Sequence, residues 1–271
     1  MLLITHSYYS LRYGVMPVEK IVEKALQFNI TTMALTDINN VSGIFDFVKN
    51  CRTANIKPIA GIDFRSSNKC LYIGIAQNNK GFYELNEFLS YYKLNNISLP
   101  DRPPQFHNAF IIYPFSNNMP ELLYDNEFIG IKISDLNKLR LKTPKYNISK
   151  YIIYHPVTFS DIKEYEIHCN LRAVDNNCLL THIKPADLAP IDEIFLSTDE
   201  ISKYFSNFSE IIFNTNKLIS SCSFEFDFKT SKNKKTFTGS KYEDKLLIRK
   251  LAYDGLLYRY GSNNKKAEER L

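Results

Sequence analysis

Tryptophan is missing altogether from this 271-residue chain, glycine is held to nine residues, and no run of eighteen apolar residues occurs. The last absence excludes a membrane-spanning helix by length. Met1-Leu2-Leu3-Ile4-Thr5 also lacks the basic lead and long apolar stretch of a secretory signal, so a cytoplasmic location is expected, with no membrane partner. The five cysteines (Cys51, Cys70, Cys169, Cys178, Cys222) are odd in number and show no Cys-x-x-Cys spacing. A disulfide framework and a structural zinc site are both disfavoured by that pattern. A strong charge excess is lacking too: the net charge of +5 falls short of the basic footprint that by itself argues for nucleic-acid binding.

What is present is the composition of an ordered globular protein, 44% hydrophobic and 23% charged, with Tyr and Phe abundant. Met16-Pro17 puts proline at a helix start, and Val18, Ile21, Val22, Ala25 and Leu26 recur at helical spacing through Gln27. The pattern predicts a strand over 30–35, a helix over 42–54, strands over 58–64 and 71–76, and a helix over 81–94. This alternation predicts parallel βαβ units. An exposed loop is expected over 95–105, which holds Pro100, Pro103 and Pro104, and short buried strands over 109–113, 128–133 and 151–154. Further on, a helix is predicted with Thr198 as its N-cap, and another over 208–218. Lys229, Lys232, Lys234 and Lys235 cluster with Ser, Thr and Asn in the manner of a linker, and 242–260 is amphipathic.

In βα folds the working side chains sit at the carboxyl ends of strands. His6, Asp37 and Asp63 each occupy such an end. Thr5-His6-Ser7-Tyr8-Tyr9-Ser10-Leu11-Arg12-Tyr13-Gly14, Leu35-Thr36-Asp37-Ile38-Asn39-Asn40 and Lys57-Pro58-Ile59-Ala60-Gly61-Ile62-Asp63-Phe64 follow one another at a spacing that resembles a known set of motifs. They are similar to the first three motifs of the polymerase and histidinol phosphatase (PHP) domain, as found in the bacterial replicative DNA polymerase III alpha subunit. There the motifs run roughly His-x-His-Ser/Thr-x-Tyr/Phe-Ser-Leu-x-Asp-Gly, Thr-Asp-His-x-Asn and Lys-Pro-Ile-x-Gly-x-Glu. Here Ile4, Tyr13 and Ile38 stand at the positions of two histidines and an aspartate, and Asp63 replaces glutamate. Ala173-Val174-Asp175-Asn176-Asn177-Cys178 resembles the late family motif Ala-Thr-Asn-Asp-x-His, again with ligands changed. Lys234-Lys235-Thr236-Phe237-Thr238-Gly239-Ser240 and Leu251–Gly261 resemble the junction at which that subunit enters its polymerase core.

The resemblance implies an α/β fold, a PHP-type distorted (β/α)7 barrel over 1–228, then a basic linker over 229–240 and the helical start of the polymerase core over 241–271. PHP phosphoesterases hold two or three metal ions through His, Asp, Glu and sometimes Cys, and such ions need roughly four to six donors each. With ligand positions lost at Ile4, Tyr13 and Ile38, the expectation is a relict metal-site cleft of His6, Asp37, Asp63 and Asp175 that holds no metal and catalyses nothing. No Asp-x-Asp pair occurs anywhere in the chain, so it reads as an amino-terminal piece without the machinery of nucleotide addition. No cofactor is expected for this chain; Mg would belong to the absent polymerase core. The implied role is a scaffold in DNA replication that docks the proofreading exonuclease subunit and other replicase subunits, meeting DNA through the full-length polymerase. Two other readings stay open. One is a working phosphoesterase with an atypical site of His6, Asp63, Asp37 and Asp175 or Cys178. The other is a nucleic-acid-binding module in which Lys232, Lys234 and Lys235 touch the phosphate backbone. His107, His155, His168 and His182 are predicted to be surface or loop residues.

Overall fold

Residues 4–116, 119–141, 144–231, 233, 235–262 and 264–271 are described in the computed structural model. They divide into two units, Met1–Phe226 and Asp227–Leu271. In the first, β1 (Ile4–Thr5), α1 (Val18–Gln27), β2 (Thr32–Leu35), α2 (Ile44–Thr53), β3 (Lys57–Ser66), β4 (Lys69–Ala76), α3 (Asn79–Leu94), β5 (Ala109–Pro114), β6 (Glu127–Ile131) and α4 (Leu136–Leu141) lead to β7 (Tyr151–Ile153) and β8 (Pro156–Val157). Three helices follow: α5 (Ile162–Asp175), α6 (Thr198–Tyr204) and α7 (Ser209–Ser221).

The strands β2 to β7 pair in sequence order in one six-stranded sheet, and β1 pairs with β8 in another. Backbone bonds carry the two sheets toward a barrel. Thr36 N–H donates to Thr5 O, linking the end of β2 to β1, and Tyr154 N–H donates to Ile131 O as β7 runs on into β8. The architecture is thus α/β with a curled sheet, of the PHP barrel type.

Strict βα alternation does not hold throughout. β4 runs antiparallel to both β3 and β5. Only Ser67 and Asn68 separate β3 from β4, with Ser67 at φ 52, and a two-residue connection permits a hairpin but not a crossover. Two other expectations shift as well. Ser197, not Thr198, caps α6, in a capping box with Glu200. The helix α5 has no counterpart in the sequence prediction, because its apolar residues make no single stripe: Glu164, His168 and Arg172 are among its buried positions.

The two-residue period of the strands divides the core into layers. Met33, Leu35, Ala60, Ile62, Phe64, Tyr72 and Ile111 face the helices. The alternate positions Ile4, Ala34, Ile59, Ile73, Ile75, Ile112 and Ile152 pack together on the inner side, each buried isoleucine stabilising by about 1.5–3 kcal/mol. Leu218, Ile219 and Cys222 at the end of α7 join that inner cluster. They sit by the strand starts, where Lys57 Nζ donates to Ile219 O. Continuing the inner parity toward the carboxyl ends brings up His6 after Ile4, and Asp63 and Arg65 after Ile59. The fold therefore fills the lower interior with hydrocarbon and leaves the upper interior to polar side chains.

In the second unit, α8 (Lys241–Tyr260) is capped by Ser240, which accepts from Glu243 N–H, and ends at Gly261 with φ +74. A short α9 (Lys265–Glu268) follows. Among the described residues no helix is long and apolar enough to cross a membrane.

Candidate functional site

The loop after β1 is held in place by Asp37. Its Oδ1 accepts from Ser7 N–H at 2.7 Å and from Ser10 Oγ at 2.7 Å, and its Oδ2 accepts from Ser7 Oγ at 2.8 Å. Ser10 Oγ in turn accepts from Ile38 N–H at 3.0 Å, so the first two motifs are tied together through one buried carboxylate. Burial raises the Asp37 carboxyl above its usual range, only partly opposed by the hydrogen bonds from Ser10 and Ser7. Asp37 thus organises a loop some thirty residues away in sequence rather than capping its own turn.

His6 and Asp63 are fully buried and meet directly: His6 Nε2 donates to Asp63 Oδ2 at 3.0 Å. The other ring nitrogen, Nδ1, lies 3.0 Å from Thr158 Oγ1, and Thr158 donates its own hydrogen to Glu193 Oε2 at 2.6 Å. Glu193 is buried and pairs with Lys132 Nζ at 3.4 Å.

A guanidinium fills the space beside this pair. Arg65 lies two residues after Asp63 on the same face of β3, and its Nε and Nη2 donate to Asp63 Oδ2 at 2.9 and 2.7 Å. Asn39, in the left-handed region at φ 47, anchors the strand there: Arg65 N–H donates to Asn39 Oδ1, and Asn39 Nδ2 donates to Arg65 O. The Arg65 guanidinium carbon stands 4.5 Å from the Tyr13 ring centroid. Burial alone would raise the Asp63 carboxyl, but Arg65 and His6 outweigh it and hold the group well below the usual carboxylate range.

Tyr13 is a hub. Arg172 approaches its ring at 5.7 Å, His6 and His168 stand edge-on at 5.7 and 4.7 Å, and its carbonyl accepts from His168 Nδ1 at 2.7 Å. Burial pushes the Tyr13 phenol up to about 12. Ile4 packs in the inner hydrocarbon layer, and Ile38 rests against Tyr13 and Phe159.

The sequence-derived cleft is therefore only partly a cluster. His6 and Asp63 touch; Asp37 sits in the neighbouring loop. Asp175 ends α5, and its partners are Arg12 at 2.9 Å and Arg172 at 2.6 Å, not the other three. Its motif belongs to a helix terminus rather than to a strand end. His155 and His168, expected at the surface, are buried, and burial lowers both. His168 Nε2 accepts from Ala189 N–H, which holds α5 to the following loop. Lys235 is exposed, while Lys232 and Lys234 lie outside the described residues. Sequence reading missed Arg65, Thr158, Glu193 and Arg172. Only Arg65 carried a local signal, its two-residue offset from Asp63.

These groups do not suit a metal ion. Ile4 and Ile38 offer no donor, and Asp63 Oδ2 is taken by three N–H groups. Asp63 Oδ1 and the neighbouring Cys70 thiol are the donors left free by Arg65, and they fall far short of the roughly four to six required. Among the described residues no three His, Cys, Asp or Glu side chains converge to hold a metal.

Comparison with known proteins agrees with the motifs. Residues 3–126 match the PHP domain family. DNA polymerase III subunit alpha of Neisseria meningitidis serogroup A is 30% identical over 91 residues, 31% of this chain and 8% of that protein. The same subunit of Staphylococcus aureus strain COL is 30% identical over 118 residues, 42% of this chain and 10% of that protein. That of Chlamydia muridarum is 41% identical over 58 residues, 21% of this chain and 5% of that protein. The matches thus span a tenth or less of these relatives. Among solved structures, an amidohydrolase from Chromobacterium violaceum with bound sulfate and no metal is 16% identical over 35% of this chain and 34% of its own. Its TM-score is 0.29, too low to bear on fold or function. Residues 3–126 are thus similar to a PHP domain, and part of the chain shows distant similarity to DNA polymerase III subunit alpha.

Proposed function

We propose that this chain is a PHP scaffold of the replicative polymerase alpha-subunit type, without phosphoesterase activity of its own. The observation that carries the reading is Arg65, whose guanidinium engages Asp63 and covers Tyr13 at the carboxyl ends of the strands. A phosphoesterase of this family would use metal ions there to activate water and neutralise phosphoryl charge. The buried ion pair occupies the Asp63 oxygen that such chemistry would offer to a metal, which supports a role without it. In this reading the domain supports a polymerase core and docks the proofreading exonuclease subunit and other replicase subunits. Magnesium and the contact with DNA belong to that core.

Metal content and hydrolysis test the proposal together. The purified chain is expected to hold well below one equivalent of Zn, Mn or Fe. It should release no phosphate from p-nitrophenyl phosphate, and no nucleotide from DNA ends, with Mn or Zn added. Stoichiometric metal with hydrolysis that His6→Ala abolishes would overturn it in favour of an atypical phosphoesterase. Docking predicts capture of the purified exonuclease subunit by this chain.

A further inference from the structure

Asp63 Oδ2 accepts three hydrogen bonds, one from His6 and two from Arg65, and the same guanidinium stands 4.5 Å from the Tyr13 ring. Positions 13 and 63 are two at which the PHP motifs place acidic metal ligands. Here both serve a planar cation instead. A carboxylate oxygen matches the N–H fork of a guanidinium, and an aromatic face offers it a π surface that a compact divalent ion uses poorly. Tyr13 is in turn held by His168 and by packing against Phe159 and Ala189, so its ring is a fixed wall. The Arg65 side chain is only 9% exposed, so water screens the pair little.

We infer that this pocket is a guanidinium site, with Arg65 as its resident cation, and that once the Arg65 side chain is removed it takes free guanidinium in preference to a divalent metal. The inference rests on the reading of the centre as metal-free, but it can fail separately. After truncation at position 65 the remaining metal donors are His6, the Asp63 carboxylate and the Cys70 thiol beside it, still fewer than the roughly four to six donors a metal needs. The carboxylate and ring that matched the guanidinium both remain.

The test uses the whole 271-residue chain. Arg65→Ala is expected to melt below the wild type by circular dichroism. Low-millimolar guanidinium chloride should raise its Tm saturably while leaving the wild type unmoved, and sodium chloride or urea at the same concentrations should not. Calorimetry should find one equimolar guanidinium site in the variant, and Mn or Zn should shift its Tm less. Equal effects of guanidinium on variant and wild type, or a larger shift with metal, would overturn the inference. If Arg65→Ala does not fold, Arg65→Met and Asp63→Asn are compared singly and together. A coupling of roughly tenfold or more in the unfolding constant is expected, and simple additivity would overturn the inference. Stoichiometric metal in the wild type would defeat the scaffold reading whatever the variants do. A metal-free wild type with no guanidinium rescue would defeat only the present inference.

Discussion

Replacing Asp37 separates two roles that the residue could have in this fold. As a metal ligand or catalytic acid it would be dispensable for folding. As the organiser of the β1 loop it carries three hydrogen bonds, from Ser7 N–H, Ser7 Oγ and Ser10 Oγ. In Asp37→Ala the Ser7 N–H is left in a fully buried position without an acceptor, a loss of about 1–3 kcal/mol. Each hydroxyl also loses its acceptor, although Ser7 Oγ still accepts from Tyr9 N–H and Ser10 Oγ from Ile38 N–H. Adding about 1 kcal/mol for each hydroxyl gives a loss of about 3–5 kcal/mol, reduced by the relief of burying a carboxylate. The Asp37 carboxyl is raised by burial, so its charge is not what stabilises the loop. Asp37→Asn, whose amide oxygen still accepts from Ser7 N–H and Ser10 Oγ, should therefore cost only about 1 kcal/mol. The sign with pH follows from the raised value. The native state binds the Asp37 proton more readily than the unfolded chain does, so this group's contribution declines as pH rises from about 3.9 through the folded value. Asp37→Asn should remove that decline. Urea unfolding followed by far-ultraviolet circular dichroism measures both variants as shifts in midpoint at constant slope. Equal losses for Asp37→Ala and Asp37→Asn, or a loss below about 1 kcal/mol for alanine, would refute the loop-organising role.

Burial lowers His155 and His168. Their contribution is therefore full above the unfolded pKa of about 6.5 and is lost as pH falls below it, by up to about 1.4 kcal/mol per pH unit for each; His168→Gln should flatten that part of a stability–pH profile measured by urea titration. Gly14→Ala would place a Cβ 1.9 Å from Ser7 O, so a loss of about 3 kcal/mol or more is expected. Gly255→Ala on α8, where a Cβ meets nothing within 4 Å, should be neutral or stabilise by up to about 1 kcal/mol, and paired thermal melts read the contrast.

How much of this was legible in the sequence depends on the distance over which each feature acts. The helices α1 to α3 and the strands of the first three motifs announce themselves through local period and punctuation. The motif positions then place His6, Asp37 and Asp63 at strand ends. What failed was non-local. Thr158 reaches His6 across 152 residues of sequence, with Glu193 behind it through Thr158, and nothing in their own neighbourhoods marks them. His168 looked like a surface residue because α5 mixes buried polar side chains with exposed Ile167 and Val174. The antiparallel course of β4 was foreshadowed by the two residues between β3 and β4, but the strand–helix alternation on either side concealed it. Asp175 was misplaced because motif similarity was strong enough to suggest a ligand and too weak to reveal a helix end.

The substitutions at the centre form a consistent set when charge and burial are considered together. Several carboxylates can face one another in a buried cleft only while metal ions balance them; without metal, like charges at such distances push pKa values up and the fold down. On the scaffold reading, this chain meets that constraint by removing charge rather than by exposing it. Ile4 turns one ligand position into inner-layer hydrocarbon, and Ile38 turns another into packing against Tyr13 and Phe159. Tyr13 exchanges a carboxylate for a ring that two guanidinium groups approach. The buried carboxylate in direct contact with His6 is Asp63, and Arg65, two residues along the same strand face, supplies a cation that cannot dissociate or be chelated away. A metal centre can be lost to a chelator or to acid, whereas this pair is covalently part of β3. In the scaffold reading proposed above, the barrel mouth needs no metal to hold its motifs together: Asp37 ties the first two motifs, and the Arg65–Asp63 pair closes the third.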